Sequence, residues 1–235
     1  AKKGIRDDAE QGIIIGHEDV YLPSGREEIY EPFWFRTFRF IQLEIETGDE
    51  PLTIGPPAYI ETGYPLEVKT TMDSSEPWVN GVWDISLRTL RRCMHETYED
   101  CPYYEQLQYA MDTRSRILFT YMTSGDTRLA KKAIQDYRSS LMPNGLLQSR
   151  YPSCQPQVIP TFNIYFIFMV EDYYWQTGEV DHIQEYRSVI DGILEWFHNR
   201  IGNNGLIEHL EYWPFVDWVD GWERGVPAAV AKGPA

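Results

Sequence analysis

Positive charge is scarce in this chain, and long apolar runs are missing altogether. Lys and Arg number 21 against 36 Asp and Glu, which leaves a formal net charge of −15 and a pI near 4.7. Such a surface repels phosphate backbones and anionic lipid, so neither nucleic acid nor a membrane is expected as a partner. No apolar stretch is long enough to span a bilayer. The start, Ala1-Lys2-Lys3-Gly4, lacks the apolar core of a secretory leader and an initiator methionine, so the natural N-terminus is expected upstream. Cysteine is rare and odd in number: Cys93, Cys101 and Cys154 have no metal-ligand spacing. Free thiols fit a reducing compartment, and a cytoplasmic location is the expectation. A phosphate-binding loop, a nucleophilic serine motif and a metal cluster are also missing, so no cofactor or metal is expected. His95 and His209 are isolated and read as structural.

Aromatic and acidic residues, by contrast, are plentiful. The 235 residues include 16 Tyr and 8 Trp, and 43% of the chain is hydrophobic. That suffices for one large domain or two modest ones. One run gathers both residue types: Asp100-Cys101-Pro102-Tyr103-Tyr104-Glu105-Gln106-Leu107-Gln108-Tyr109-Ala110-Met111-Asp112. Proline is tolerated in a first helical turn, so the run predicts a helix from Pro102 to about Thr123. Glu105 and Asp112, seven positions apart, would then share a face, with Asp100 as the cap. Carboxylates beside tyrosines suit a sugar-cleaving site. The same residues also fit ordinary helix capping and dipole chemistry.

Along the chain, residues 1–72 read as β. Ile13-Ile14-Ile15 is a short buried run. Between Thr37 and Glu46, Ile41, Leu43 and Ile45 alternate with Gln42, Glu44 and Glu46, the pattern of a strand with one wet face. Further short strands are expected at Tyr59-Ile60 and at 66–70. Residues 73–81 read as a linker. Beyond it the period lengthens to that of helices, expected at 83–98, 102–123, 127–141, 161–176 and 180–201, with a polar loop at 148–160. Leu87, Leu90 and Met94 mark the buried face of the first. Phe166, Phe168 and Trp175 read as core. The remainder from Leu206 is aromatic loop, with a possible helix start near Pro227. Short turns between helices that alternate in apolarity suggest the two rings of an α/α toroid.

The acidic run, extended from Glu99 to Arg114, resembles the acidic motif of the α-L-rhamnosidases of glycoside hydrolase family 78. Three other stretches are similar to that family: Pro160-Thr161-Phe162 into Asp172-Tyr173-Tyr174-Trp175-Gln176-Thr177-Gly178, Trp213-Pro214-Phe215-Val216-Asp217-Trp218, and Phe33-Trp34-Phe35-Arg36-Thr37-Phe38-Arg39-Phe40. They follow in the family's order across nearly the whole chain. The resemblance implies a mainly α protein with a β segment: residues 1–72 as the C-terminal part of a β-sandwich, 73–81 as linker, and 82–235 as the N-terminal part of an (α/α)6 barrel. It implies cleavage of terminal α-L-rhamnosides with inversion. Glu105 would be the general acid; Asp100 and Asp112 would hold sugar hydroxyls; Asp217 and Trp218 would line the sugar site. Asp217-Trp218 alone fits a cap and a core tryptophan equally well. Tyr104 stands where many members carry arginine, and Tyr109-Ala110 near a glycine-tryptophan pair, which leaves the preferred rhamnoside open.

About five helices fall short of the twelve of such a barrel, and the family's general base, a glutamate, is expected beyond Ala235. The chain therefore reads as a fragment, expected to be inactive alone and to associate through uncovered helix faces. As acid, Glu105 must hold a proton. Its place in a first helical turn opposes that, while crowding by Asp100 and Asp112 favours it. A non-catalytic carbohydrate-binding fragment and another (α/α)6-barrel hydrolase are the competing readings.

Overall fold

A computed structural model of the chain describes residues 8, 12–13 and 15–227. It forms two compact units, Ala1–Thr62 and Gly63–Ala235.

The first unit departs from the sequence expectation. Among its described residues there is no strand. The alternation at 37–46 persists: Gln42 Nε2 donates to Glu44 Oε1 at 2.8 Å, so these side chains share one side. What is missing is a ladder partner, and a strand is defined by pairing rather than by its own pattern. Ile41, Leu43 and Ile45 accordingly stand exposed. The expected buried run fails too, since Ile13 and Ile15 are exposed; Ile14 lies outside the described residues. Local contacts are an Arg36–Asp19 ion pair at 2.9 Å and the ring pairs Tyr21–Tyr30 and Phe38–Tyr59.

The second unit holds five helices: α1 (Pro77–Arg92), α2 (Ala110–Thr123), α3 (Arg128–Ser139), α4 (Phe162–Thr177) and α5 (Val180–His198). Residues 63–70, read as partly β, are instead laid against these helices. The Tyr64 N–H donates to the Met94 carbonyl, Lys69 and Thr70 N–H both reach the Thr123 carbonyl, and Leu66 is buried. Helix α1 begins six residues before the expected Trp83, inside the presumed linker, because Pro77 needs no N–H partner at a helix start. It stops at Arg92 rather than near Tyr98; Met94 and Tyr98 pair as an isolated bridge. Leu90 and Met94 are buried as expected, while Trp78, Val82 and Ile85 form an exposed stripe at i, i+4 and i+7.

Helix α4 is the spine. It packs against α2, α3 and α5 and buries Phe162, Phe166, Met169, Val170 and Tyr173. Side chains of this size contribute about 1.5–3 kcal/mol each on full burial. Its one buried polar side chain, Asn163, accepts the Leu147 N–H at 2.7 Å and so ties the helix to the turn after α3. Gly178 closes α4 at φ 74°, a left-handed cap that a side chain would strain. Trp175 and Phe168 are not core: they are 76% and 37% exposed, and the Phe168 ring is met at the surface by the Arg114 guanidinium of α2 at 4.8 Å. Apolar character marked the helix, but only packing decides which of its faces is covered.

Residues 206–227 are irregular, as expected. The helix start expected near Pro227 falls where the described residues end.

Candidate active site

The acidic run does not form the expected helix. Residues 102–105 make one turn, with Gln106 Nε2 donating to the Pro102 carbonyl at 2.9 Å. Gln106 then turns left-handed, at φ 56°, which ends any helix. Regular helix starts eight residues after Pro102, at Ala110. Glu105 and Asp112 therefore share no helix face, and the spacing argument fails.

Asp100 caps the loop rather than a helix. Its Oδ1 accepts the Leu107 N–H at 2.8 Å, while its own N–H donates to the Leu107 carbonyl at 2.9 Å. Gln108, 1% exposed, fastens the loop to the helices. Its Nε2 donates to Asp136 Oδ2 at 3.1 Å and to the Tyr151 carbonyl at 2.8 Å. Its Oε1 accepts the Tyr98 N–H, and its carbonyl accepts the buried Tyr137 hydroxyl at 2.6 Å. A glutamine that spends donors and acceptor together is a rigid joint.

Arg116 ties the backbone of Asp100 to the carboxylate of Asp112. It donates to the Asp100 carbonyl at 2.5 Å and faces Asp112 Oδ1 at 3.7 Å. Burial pushes the Asp112 carboxyl above its ordinary value; the Arg116 charge opposes this, and the Asp100 charge adds to it. Asp112 thus feels the Asp100 charge, whereas the expected crowding concerned Glu105.

Glu105 sits apart, exposed at the tip of its turn. Its N–H reaches Cys101 Sγ at 3.3 Å. Its Oε2 accepts the Tyr109 hydroxyl at 2.8 Å, and that hydroxyl accepts from Arg150 Nη1, also at 2.8 Å. Burial, with the Glu105 hydrogen bond behind it, pushes the Tyr109 phenol up to about 12, against the pull of Arg150.

Asp217 and Trp218 lie on a surface turn. Trp218 is 70% exposed, so it is not core, and Asp217 accepts its N–H at 2.7 Å. The turn closes through Gly225, where there is no room for a side chain: a Cβ there would strike the Phe215 ring. A file of rings joins the two regions. Trp218 meets Phe215 at 5.3 Å, Phe215 meets Phe162 at 6.2 Å, and Phe162 meets Tyr109 at 6.4 Å. The structure thus brings Asp100 and Asp112 together through Arg116, and connects Glu105 to the Trp218 turn through Tyr109.

Sequence reading missed Arg116, Tyr137 and Arg150. Arg116 was within reach, four residues after Asp112 on one helix. Arg150 gave no local signal, since only tertiary folding carries the 148–160 loop to Tyr109.

Comparison with known proteins places the helical part of the chain in a family. The family model described as the bacterial α-L-rhamnosidase six-hairpin glycosidase domain matches residues 67–231. A glycoside hydrolase family 78 rhamnosidase of Bacillus sp. GL1 superposes with a TM-score of 0.63 at 27% identity, over 66% of this chain and 16% of that one. A rhamnosidase from Klebsiella oxytoca with rhamnose bound superposes with a TM-score of 0.58 over 69% of this chain and 32% of that one; at 17% identity this likeness is one of fold. The chain therefore spans less than a third of the length of either protein. No match was found among curated proteins.

Proposed function

Because the chain belongs to the bacterial α-L-rhamnosidase six-hairpin glycosidase family, we propose that it carries the acid side of a site that hydrolyses terminal α-L-rhamnosides with inversion. Glu105 is the proton donor, Asp100 and Asp112 hold sugar hydroxyls, and Asp217 and Trp218 line the sugar. The observation that carries this reading is the joining of Asp100 and Asp112 by Arg116, beside a loop that presents the Glu105 carboxylate to solvent. Asp100 keeps Oδ2 for a ligand while Oδ1 holds Leu107. The exposed indole of Trp218 suits the apolar face of a deoxy-sugar.

The five helices are read as part of an (α/α)6 barrel, and the alternating stretch before Thr62 as the closing part of a β-sandwich. The exposed stripe on α1 favours association between copies of the chain.

Inversion needs a second carboxylate about 6.5–9.5 Å from the first to activate water, and no residue here is assigned to that task. In water, the chain is expected to leave phenyl α-L-rhamnoside intact. Azide needs no base, so with azide as nucleophile the chain should release phenol and form rhamnosyl azide. Glu105→Gln is expected to slow this by about 10²–10⁴-fold. Equal rates in wild type and Glu105→Gln, with the loss appearing in Asp112→Asn instead, would move the acid to the carboxyl that burial already pushes up. L-rhamnose that leaves Trp218 fluorescence untouched would remove the sugar reading. A non-catalytic sugar-binding module would instead show rhamnose binding with no azidolysis.

A further inference from the structure

We propose that Tyr109 and Arg150 are positioning residues for Glu105. Arg150 donates to the Tyr109 hydroxyl, Tyr109 gives its one proton to Glu105 Oε2, and the proton that Glu105 transfers is thereby confined to Oε1. The inference rests on the assignment of Glu105 as proton donor.

The direction of the chain follows from valence. A guanidinium has only donors, so the 2.8 Å contact from Arg150 Nη1 makes the Tyr109 oxygen an acceptor. The hydroxyl's single hydrogen is then directed to Glu105 Oε2, also at 2.8 Å. An oxygen that accepts such a bond cannot also carry the acid proton along it. Oε1 remains. The geometry is held by the backbone as well: Tyr109 and Arg150 form an antiparallel bridge, and the Ala110 N–H donates to the Ser149 carbonyl at 3.0 Å. Arg150 also lies over the Tyr109 ring, 5.5 Å from its centre, and its Nε is buried with no partner. A charged group kept half-buried with a donor unmet is a costly way merely to staple a loop.

The clamp addresses a real need. Glu105 is exposed, and an unrestrained glutamate at a turn samples many rotamers. A general acid works only within hydrogen-bond reach of its target. On transfer, the Oε1–H bond breaks and the proton joins the leaving oxygen. The bond from that oxygen to the sugar carbon breaks with its electron pair staying on oxygen, and azide, which has no proton to lose, bonds to that carbon through its own lone pair. Glu105 is left as carboxylate, to which the Tyr109 bond tightens.

The test places 3-fluorotyrosine at position 109 alone in the full chain and follows its fluorine resonance with pH. Fluorination brings the phenol's titration into a range the fold tolerates. Glu105→Gln should move the midpoint down and Arg150→Met should move it up, with Arg150→Lys returning it toward wild type. In the azide assay, Tyr109→Phe and Arg150→Met should lower kcat with KM little changed, and Arg150→Lys should recover part of the rate. A midpoint unmoved by both substitutions overturns the clamp, and does so without any turnover; the proton-donor reading then survives if Glu105→Gln still slows azidolysis. Opposite midpoint shifts with unchanged kcat in Tyr109→Phe show a staple only and overturn the positioning role. Full azidolysis by Glu105→Gln removes the proton-donor reading itself, and the clamp's purpose with it.

Discussion

Helix α4 and the loop from Glu99 to Tyr109 meet where Phe162 touches Tyr109, yet they are held by different forces. The helix is held by apolar area: Phe166, Met169 and Val170 are each almost completely buried. The loop is held by directed bonds converging on Gln108, Asp100 and Arg116. Burial tolerates small shifts, whereas a bonded joint has one geometry. A chain that must aim carboxylates therefore keeps its spine greasy and its site polar.

That contrast can be broken from either side. The largest stability loss is expected for Phe166→Ala, about 3–5 kcal/mol from lost burial and the cavity left behind, read as a fall in thermal midpoint. Gln108→Leu should cost about 1–3 kcal/mol by stranding buried partners. Unlike Phe166→Ala, it should also abolish rhamnose-induced changes in Trp218 fluorescence, because the loop loses its joint. A loop variant with unchanged sugar binding would erase the distinction.

A subtler effect concerns His182, on α5 but packed at a tilt against Tyr173 of α4 at 4.4 Å and edge-on to Tyr186 at 4.9 Å. Burial holds its pKa below the ordinary value; Lys131 acts the same way, and Glu185 and Glu179 oppose. The folded state thus favours neutral imidazole. Its contribution is present above about 6.5, the unfolded value, and is lost as pH falls below it. Melting curves from pH 7 to 5 should fall less steeply in His182→Phe. The smallest effect is expected for Trp175→Ser, within about 0.5 kcal/mol, since that ring is largely exposed.

How much of this was readable in the sequence follows the same division. Helices α3, α4 and α5 were legible within a few residues, because periodicity and Gly178 are local signals. Which face of α4 is covered was not, and Trp175 and Phe168 were misjudged for that reason. The residue types of the site were legible in Asp100, Glu105 and Asp112. Their conformation was not: Asp100 chose Leu107 over a helix start, and Gln106 turned left-handed. Arg150 stayed hidden because the loop that brings it has no period at all. The stretch 37–46 shows the converse, a clear strand pattern with no strand to pair with among the described residues.

The double tie between Asp100 and Leu107 makes a closed ring of the intervening residues, with the same residue at its lock. Amide hydrogens in irregular segments ordinarily trade with water within seconds or less once exposed, but those of Asp100 and Leu107 are both engaged. Deuterium exchange should therefore show two slow amides bracketing a fast stretch that includes Tyr104. A rhamnoside drawing on the Asp100 carboxylate would slow or quicken that pair first, which gives a reporter of occupancy that needs no product to form.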